Sequence, residues 1–395
     1  IERRYNLPYR VTSEPSGARV LVDGKPVGKT PCAVTMDIAN GIHVRVEAPG
    51  FKPIEADLNI TDPELDGLLA VTLPKIGSWT HSLRGTPETG PVVLDDLVLV
   101  PTNEASLLAL RETDGKIAWE VQTKLLDRIK APVLVGKDRA YFATSGGRLF
   151  EVRLSDGRVM HRTDLPGEIH HAGQISGDTV VFATRDRKLV AVRKGRIVYA
   201  HPMKWSSVTG MGRIGDEVVM GTAEGVILVH DIRTGKQKRI LAPAEKSSFY
   251  GGLITDGNRV IAAAEDGNVY AFRVDRAKPL WKYRVSGALA TLPVAHGKLL
   301  YLPLRNGFLI RLDESGEPQD RLDFQNSAHG RPVVNEGFLY VAVGARLVAF
   351  DVRTSRRWWE VEYEEGKPLH VAAGSKLVVT VTDDARVHAY PADSR

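Results

Sequence analysis

The sequence predicts an all-β protein in which an eight-bladed β-propeller follows a small N-terminal β-sandwich domain. A unit of about 40 residues recurs along most of the chain, and repeats of that length are typical of propeller blades. Short apolar stretches alternate with turns rich in Gly, Asp and Asn, which is the pattern of antiparallel strands. In three units an alanine stands ten residues before a tryptophan: Ala109 before Trp119, Ala271 before Trp281 and Ala349 before Trp359.

Eight related openings mark the units. Each opening predicts a short strand, a turn and an alternating apolar strand, and two further strands complete the four strands of a blade. We therefore assign residues 75–395 to the propeller and residues 1–74 to the N-terminal domain. The openings begin at Gly90, Ala131, Ala172, Gly210, Gly251, Leu292, Arg331 and His370.

The tryptophan position begins the fourth strand of each unit. A large ring there can cover the gap between neighbouring blades and still place its polar atom near a partner. His161, Arg239 and Asp320 fill this position without a large aromatic ring, so we expect their blades to be docked less firmly. The residues predicted to dock one blade on the next are Trp79, Trp119, Tyr199, Trp281 and Trp359.

The two ends of the repeat region complement each other. The eighth unit stops before a fourth strand, whereas the stretch around Trp79 stands ahead of the first unit without a blade. Pairing that stretch with the last unit would close the ring and remove an exposed sheet edge, which otherwise invites aggregation. We therefore predict that the Trp79 strand completes the eighth blade.

The stretch from Tyr9 to about Leu73 alternates apolar residues with Gly and Pro turns, which predicts a small all-β domain. Its Pro15-Ser16-Gly17-Ala18 run, the VDG turn, the GKTP step and the later Gly50-Phe51 pair resemble a PEGA domain in order and spacing. The resemblance covers nearly the whole module.

Composition excludes several classes of function. The formal charge is +5, but basic residues are scattered among acidic ones, so we expect a solvated surface and no nucleic-acid partner. Cys32 is the one cysteine of the sequence, which excludes an internal disulfide and a multi-cysteine metal site. No apolar run approaches the roughly 18 residues that cross a bilayer. Membrane attachment is therefore expected only through a segment absent from this sequence.

From Trp79 to Arg395, the "ALxxxDGKxxW"-like repeats resemble the PQQ-like (BamB-like) propeller family. The quinoprotein dehydrogenases of that family hold their cofactor with adjacent cysteines and a calcium site. This propeller has no cysteine, so the resemblance implies no cofactor and no catalysis here, because function depends on site residues and not on the fold.

The connections ahead of the inner strands carry more aromatic and basic residues than loops usually need. Such residues favour protein contacts when they are exposed, but the rings can equally fold inward as blade caps. Loop histidines are commonly solvated, so we predict no metal site. The candidate partner-binding or ligand-binding face consists of His170, His171, Trp205, Phe249, Tyr250, His329, Arg331 and His370.

A PEGA domain in front of a PQQ-like propeller resembles the extracytoplasmic region of bacterial transmembrane serine/threonine kinases. The resemblance implies a non-catalytic sensor of a protein or cell-envelope ligand, in the periplasm or at the cell surface, with a kinase and an inner-membrane helix ahead of Ile1. The alternative is a BamB-like scaffold for envelope protein assembly. A PQQ-dependent oxidoreductase is a third hypothesis, which the missing cysteines disfavour.

Overall fold

The computed structural model describes residues 6–37, 40–59, 67–123 and 127–393. These residues form strands and turns without a helix, which confirms the all-β prediction. Accordingly, the described part of the chain offers no long apolar helix of the kind that crosses a membrane.

The N-terminal module consists of two small sheets. In the first, β1 (Asn6–Glu14) lies between β4 (Cys32–Asp37) and β7 (Leu68–Thr72). The second has the order β3 (Lys25–Lys29), β2 (Arg19–Val22), β5 (Ile42–Glu47) and β6 (Ile54–Leu58). Strand β5 alternates buried and half-buried residues, so one face of its sheet is packed. Both sheets contribute to one apolar cluster, which includes Val11, Val20, Met36, Val44 and Leu73.

The PEGA-like motif has a physical basis in Thr30. Its hydroxyl oxygen accepts the backbone N–H groups of Gly17 and Ala18 at 3.0 and 3.1 Å. The Pro15-to-Ala18 turn is thereby fixed against the GKTP step, although the two segments lie on different strand connections. The spacing of the motif therefore reflects the contact between the Thr30 hydroxyl and the backbone of Gly17 and Ala18.

Eight four-stranded antiparallel sheets follow the module within the described residues, and we number them in chain order. Sheet 1 contains β9 (Val92–Val93), β10 (Leu97–Thr102), β11 (Ser106–Arg111) and β12 (Ile117–Gln122). Sheet 2 contains β13 (Leu134–Val135), β14 (Arg139–Ala143), β15 (Arg148–Arg153) and β16 (Val159–Asp164). Sheet 3 contains β17 (Gln174–Ser176), β18 (Thr179–Ala183), β19 (Lys188–Arg193) and β20 (Arg196–Pro202). Sheet 4 contains β22 (Gly212–Ile214), β23 (Glu217–Gly221), β24 (Ile227–Asp231) and β25 (Gln237–Leu241).

The second half repeats this arrangement. Sheet 5 contains β26 (Phe249–Asp256), β27 (Arg259–Ala264), β28 (Asn268–Arg273) and β29 (Pro279–Arg284), and the short β21 (Thr209–Gly210) joins it alongside β26. Sheet 6 contains β30 (Val294–His296), β31 (Leu299–Pro303), β32 (Phe308–Leu312) and β33 (Pro318–Asp323). Sheet 7 contains β34 (Ala328–Asn335), β35 (Phe338–Val343), β36 (Arg346–Asp351) and β37 (Arg357–Glu362). Sheet 8 contains β38 (Pro368–Ala373), β39 (Leu377–Thr382), β40 (Arg386–Pro391) and β8 (Trp79–Ser82).

The last sheet is completed by the strand that follows the module. Strand β8 pairs antiparallel with β40, with Trp79 opposite Ala389 and Ser82 opposite Arg386. Apolar clusters link each sheet to the next, and one cluster links sheet 8 back to sheet 1. The sheets therefore form a closed ring. Their middle strands, such as β35 and β39, are buried along their whole length.

Four outer strands dock on the following sheet through one hydrogen bond of the same kind. A side-chain donor from the fourth strand reaches a backbone carbonyl in the turn between the third and fourth strands of the next sheet. The pairs are Trp79 with Glu112 at 2.7 Å, Trp119 with Leu154 at 2.7 Å, Tyr199 with Ile232 at 2.9 Å and Trp281 with Glu314 at 3.0 Å.

The turn under each ring is built on a glycine. Gly157 has a φ of +70°, and a Cβ atom there would lie 2.7 Å from the Trp119 ring. Both the left-handed backbone and the close approach therefore require glycine at this position. Ala109 lies opposite Trp119 in the β11–β12 ladder and is fully buried, which accounts for the ten-residue step between them.

The positions without a large ring also receive a hydrogen bond. Arg239 Nε donates to the Val274 carbonyl at 2.9 Å, which is the same kind of contact as the tryptophans make. Beside His161, the Thr163 hydroxyl donates to the Gly195 carbonyl at 3.1 Å. At Asp320, the carboxylate accepts the Ser355 hydroxyl at 2.9 Å. Weaker docking of these sheets stays a prediction.

The junction between the module and the ring is centred on Asp393. Its carboxylate accepts Trp359 Nε1 at 2.6 Å, so the C-terminal segment replaces the turn that sheet 8 lacks. Lys75 Nζ lies 2.8 Å from the same carboxylate, and both side chains are more than nine-tenths buried. Burial, followed by the Asp393 charge, raises the pKa of Tyr340, whose hydroxyl also contacts Asp393. Farther out, Arg357 Nε donates to Glu14 at 2.7 Å.

We expect Trp119→Ala to lower the free energy of unfolding by about 3 to 5 kcal/mol, because a buried aromatic ring leaves a cavity between sheets 1 and 2. Trp281→Ala is the matched comparison and should cost less, since Trp281 is half-buried on a strand that alternates half-buried and exposed residues, whereas Trp119 is buried. Guanidinium denaturation of both variants checks this. Equal or negligible losses would contradict a docking role for the buried ring.

At the junction, we expect Lys75→Met to cost about 3 to 5 kcal/mol of unfolding free energy, because it leaves the Asp393 carboxylate buried without its counter-ion. The double change Lys75→Met with Asp393→Asn removes both charges and keeps an acceptor for Trp359. A double-mutant cycle measured by denaturation should show a loss well below the sum of the single losses. Additive losses would show that the two charges do not interact.

Candidate functional site

The two ends of the ring differ in the connections that they present. In every sheet the first strand starts at one end, the second returns to it, and the fourth finishes there. We call this end the mouth face. It carries the turns between second and third strands and the segments that lead into each inner strand, called here the mouth segments. In sheets 5, 7 and 8 these segments include the first residues of β26, β34 and β38. The mouth segments are 86–91, 128–133, 168–173, 207–211, 248–253, 288–293, 327–332 and 367–371.

The mouth segments are held by backbone hydrogen bonds. In seven sheets, an N–H group from the turn between the second and third strands donates to a carbonyl of the same sheet's mouth segment. The donors and acceptors are Asn103 and Thr86, Ser145 and Arg128, Arg185 and Glu168, Glu265 and Ser248, Arg305 and Ala288, Gly344 and Ser327, and Asp383 and Lys367. In sheet 4, Ser207 bridges to Thr222 instead. The backbone of the face is therefore held by hydrogen bonds within the chain itself.

Register breaks interrupt two of the mouth segments. The β26–β27 ladder is interrupted between Tyr250 and Ile254, and the β34–β35 ladder between His329 and Val333. Gly330 lies in the second break with a φ of +59°, and a Cβ atom there would lie 2.2 Å from the Leu369 carbonyl oxygen. Neighbouring segments are thus in direct contact around the channel.

Side chains and backbone also link neighbouring inner strands. Gln174 Nε2 donates to the Met211 carbonyl at 2.7 Å, and Met211 N donates to the Ala172 carbonyl at 2.9 Å. On the other side of the ring, Asn335 Nδ2 donates to the Gly374 carbonyl at 2.9 Å. The channel wall is therefore continuous in these places.

The two predicted histidines of sheet 3 lie in one mouth segment and differ in environment. His170 Nε2 lies 3.0 Å from a Glu168 carboxylate oxygen, and this contact lowers the pKa of Glu168. His171 is half-buried, and burial, followed by the charge of His170, lowers its pKa. His170 is thus already paired, whereas His171 favours the neutral form.

The predicted aromatic residues divide into two groups. Phe249 is only 1% exposed and packs edge to face against Tyr270 and Phe272, so its assignment to a contact surface is wrong. Trp205 and Tyr250 are half-buried and pack against apolar clusters while keeping part of each ring accessible. Both the contact and the capping interpretations apply to these two rings.

His329, Arg331 and His370 come from two adjacent sheets. His370 is half-buried beside Gly90, and burial lowers its pKa. His329 is half-buried at the start of β34. Arg331 is exposed to the channel, yet surrounding protein lowers the pKa of its guanidinium. The residues that surround the Arg331 side chain in the channel belong to sheets 3 to 6.

A cavity of about 330 Å³ occupies the channel next to Arg331. The sequence did not single out this cavity, because its wall is mostly backbone and small or apolar residues. The described residues hold no cluster of three or more His, Cys, Asp or Glu side chains that could bind a metal. The lining residues are Gln174, Met211, Gly212, Leu253, Ile254, Thr255, Asp256, Ala295, Gly297 and Arg331.

Two family models match the chain. The model for the outer membrane protein assembly factor BamB matches residues 77–161, 123–319 and 304–394, and the PEGA domain model matches residues 7–72. The chain is 24% identical over 315 residues to BamB of Yersinia pestis, covering 78% of this chain and 66% of that protein. It is 26% identical over 215 residues to BamB of Alkalilimnicola ehrlichii, covering 49% and 52% respectively. It spans about half to two thirds of the length of these curated relatives.

Solved structures share the fold at low identity. BamB from Moraxella catarrhalis matches with a TM-score of 0.66 and 14% identity, over 79% of this chain and 98% of that chain. Sqt1 of Saccharomyces cerevisiae matches with a TM-score of 0.69 and 11% identity, over 80% and 99%. These likenesses show the propeller fold alone.

The mouth histidines predict a pH dependence of stability. His171 and His370 have lowered pKa values when folded, so below about pH 6.5 the unfolded chain binds protons that the folded protein excludes. Above that pH the two histidines do not lower the free energy of unfolding. As the pH falls from there through their lowered pKa values in the folded protein, the free energy of unfolding decreases. We expect His171→Gln with His370→Gln to flatten the fall in denaturation midpoint between neutral and acidic pH.

The exposed His296 offers a matched control on an inner strand. The His296→Gln variant should retain the slope of the wild type. If the double variant keeps the full acid dependence, burial of the two mouth histidines is not its source.

Proposed function

The chain belongs, through its propeller, to the family of the outer membrane protein assembly factor BamB, and we propose that it is an extracytoplasmic, non-catalytic scaffold that binds partner proteins. The single observation that carries this proposal is the mouth face, whose backbone is held in place around a common channel. Function on repeat scaffolds usually resides in such connections, since the strands are committed to packing. The match to the BamB family model and the similarity to BamB relatives favour this BamB-like alternative over the kinase sensor.

The chemistry of the mouth face suits a protein partner. Trp205 and Tyr250 offer partly accessible rings, and Lys204 Nζ lies 4.5 Å from the centre of the Trp205 ring. Aromatic and basic side chains of this kind are enriched in protein interfaces. Because the mouth backbone is already ordered, little conformational entropy would be lost on binding.

We further propose the domain organisation 1–74 and 75–395, with a β-sandwich followed by an eight-bladed propeller. Support comes from the closed series of sheets and from the junction, where Lys75, Trp359 and Asp393 meet in a buried cluster. The module would then be an adaptor held in fixed orientation on sheets 7 and 8, and not a freely tethered domain. We propose no cofactor and no metal for either domain.

A second candidate function is the sensor region of a membrane-anchored serine/threonine kinase. The observation that favours it is the PEGA domain at residues 7–72, ahead of the BamB-like repeats. In that case the fixed junction would hold the mouth face in a constant position relative to a membrane-proximal segment. The reading frame upstream of Ile1 distinguishes the candidates, because the sensor requires a kinase and a membrane helix there.

The scaffold proposal predicts that Trp205→Ala with Tyr250→Ala impairs the assembly of envelope proteins in the native organism. The change removes two half-buried rings of the mouth face and leaves the channel wall unchanged. Envelope protein levels and sensitivity to detergents measure the effect. Thermal denaturation of the purified variant establishes that the ring still folds.

The matched control removes two exposed apolar side chains from outer strands, through Ile240→Ala with Leu280→Ala. These residues lie away from the mouth segments, so this variant should behave as the wild type. Normal envelope assembly in the mouth variant, at normal protein level, would contradict the scaffold function. An equal assembly defect in both variants would show that partner binding does not depend on the two rings of the mouth face.

A further inference from the structure

The partly open cavity in the channel combines a charged side chain with room for a ligand. Its wall includes inner-strand residues of sheets 3 to 6, and Arg331 reaches it from sheet 7. A volume of about 330 Å³ lies at the lower end of the range for small-molecule sites. A cavity filled only with water would not need a charged side chain such as Arg331 in its wall.

Arg331 is exceptional at its position in the repeat. Arg331 lies two residues before Val333, which pairs with Tyr340. In the same register, six of the other seven sheets have a small or apolar residue: Gly90, Pro132, Ala172, Gly210, Gly252 and Leu292. His370 fills the remaining position. The repeat architecture thus requires no cation there, so packing does not explain Arg331.

Arg331 has no acidic partner among the described residues. The one carboxylate that lines the cavity, Asp256, is paired with Arg259. Gln174 already donates its amide to the Met211 carbonyl. A guanidinium offers five N–H donors in a planar fork that matches carboxylate and phosphate oxygens. The cavity therefore contains an unneutralised cation next to open space.

We propose that the channel binds a small molecule carrying a carboxylate or phosphate group, with Arg331 as the counter-ion of that group. The rest of the wall includes Gln174, Thr255 and backbone groups, so the remaining part of the molecule would also be polar. This site goes beyond the proposed scaffold function, since it lies inside the channel and does not depend on a protein partner.

The test uses the purified chain at low ionic strength, because salt weakens a single charge contact. Calorimetric titrations with acetate, succinate and inorganic phosphate separate carboxylate from phosphate ligands, and butane-1,4-diol is the uncharged analogue of succinate. We expect saturable binding of at least one anion and none of the diol. Arg331→Gln should weaken that binding by about tenfold or more.

Arg276→Gln is the control, since Arg276 is an exposed arginine in a turn away from the mouth face. Crystals soaked in bromoacetate provide a second measurement, with an anomalous bromine peak expected in the channel beside Arg331. The proposal is overturned by an absence of saturable anion binding at millimolar concentrations, by equal affinity in the Arg331→Gln variant, or by a peak located only elsewhere. None of these outcomes bears on envelope assembly, so the two proposals fail separately.

Discussion

The pairing of β8 with β40 is the constraint on which the rest of the ring depends. It joins the start and the end of the repeat region in one sheet, so that no sheet of the ring is left with three strands. Without it, Ala389 and its neighbours on β40 would present an unpaired edge. The same pairing carries Trp79 to the turn of sheet 1, where its indole donates to the Glu112 carbonyl. Closure and docking between sheets are thus achieved by one strand.

Closure also determines where the N-terminal module lies. Lys75 precedes β8 by only a few residues, and Asp393 follows β40 equally closely, so the paired strands bring these two residues together. Their ion pair is buried, and desolvation makes such a pair costly unless its remaining groups are hydrogen-bonded. Trp359 and Tyr340 supply those hydrogen bonds. The position of the junction therefore follows from the pairing of β8 with β40, and sheet 7 supplies the hydrogen bonds that its buried ion pair needs.

Sequence periodicity predicted the strands well, because the ten-residue step from Ala109 to Trp119 reflects a ladder in which the two residues face each other. It could not predict the donors at positions without a ring, since Arg239 reaches the Val274 carbonyl through a long side chain that no repeat pattern marks. Phe249 was misplaced for a related reason. A register break follows Tyr250, and the sequence does not show which of two adjacent rings faces the core.

Sheet 7 connects the features that distinguish this ring from a simple repeat. Its inner strand carries Arg331 into the channel, and its outer strand carries Trp359 to the module junction. Three strand spacings of about 4.8 Å separate these edges, which is a distance of about 14 Å. Between them, β35 is buried throughout and β36 at its four central positions. Neighbouring strands are paired on both sides of the break between His329 and Val333, and β35 and β36 are paired without interruption. A sheet packed in this way fixes the positions of its strands, whereas coupling between sites requires an element with two discrete arrangements. A ligand in the channel would therefore bind to a preformed site without displacing the module.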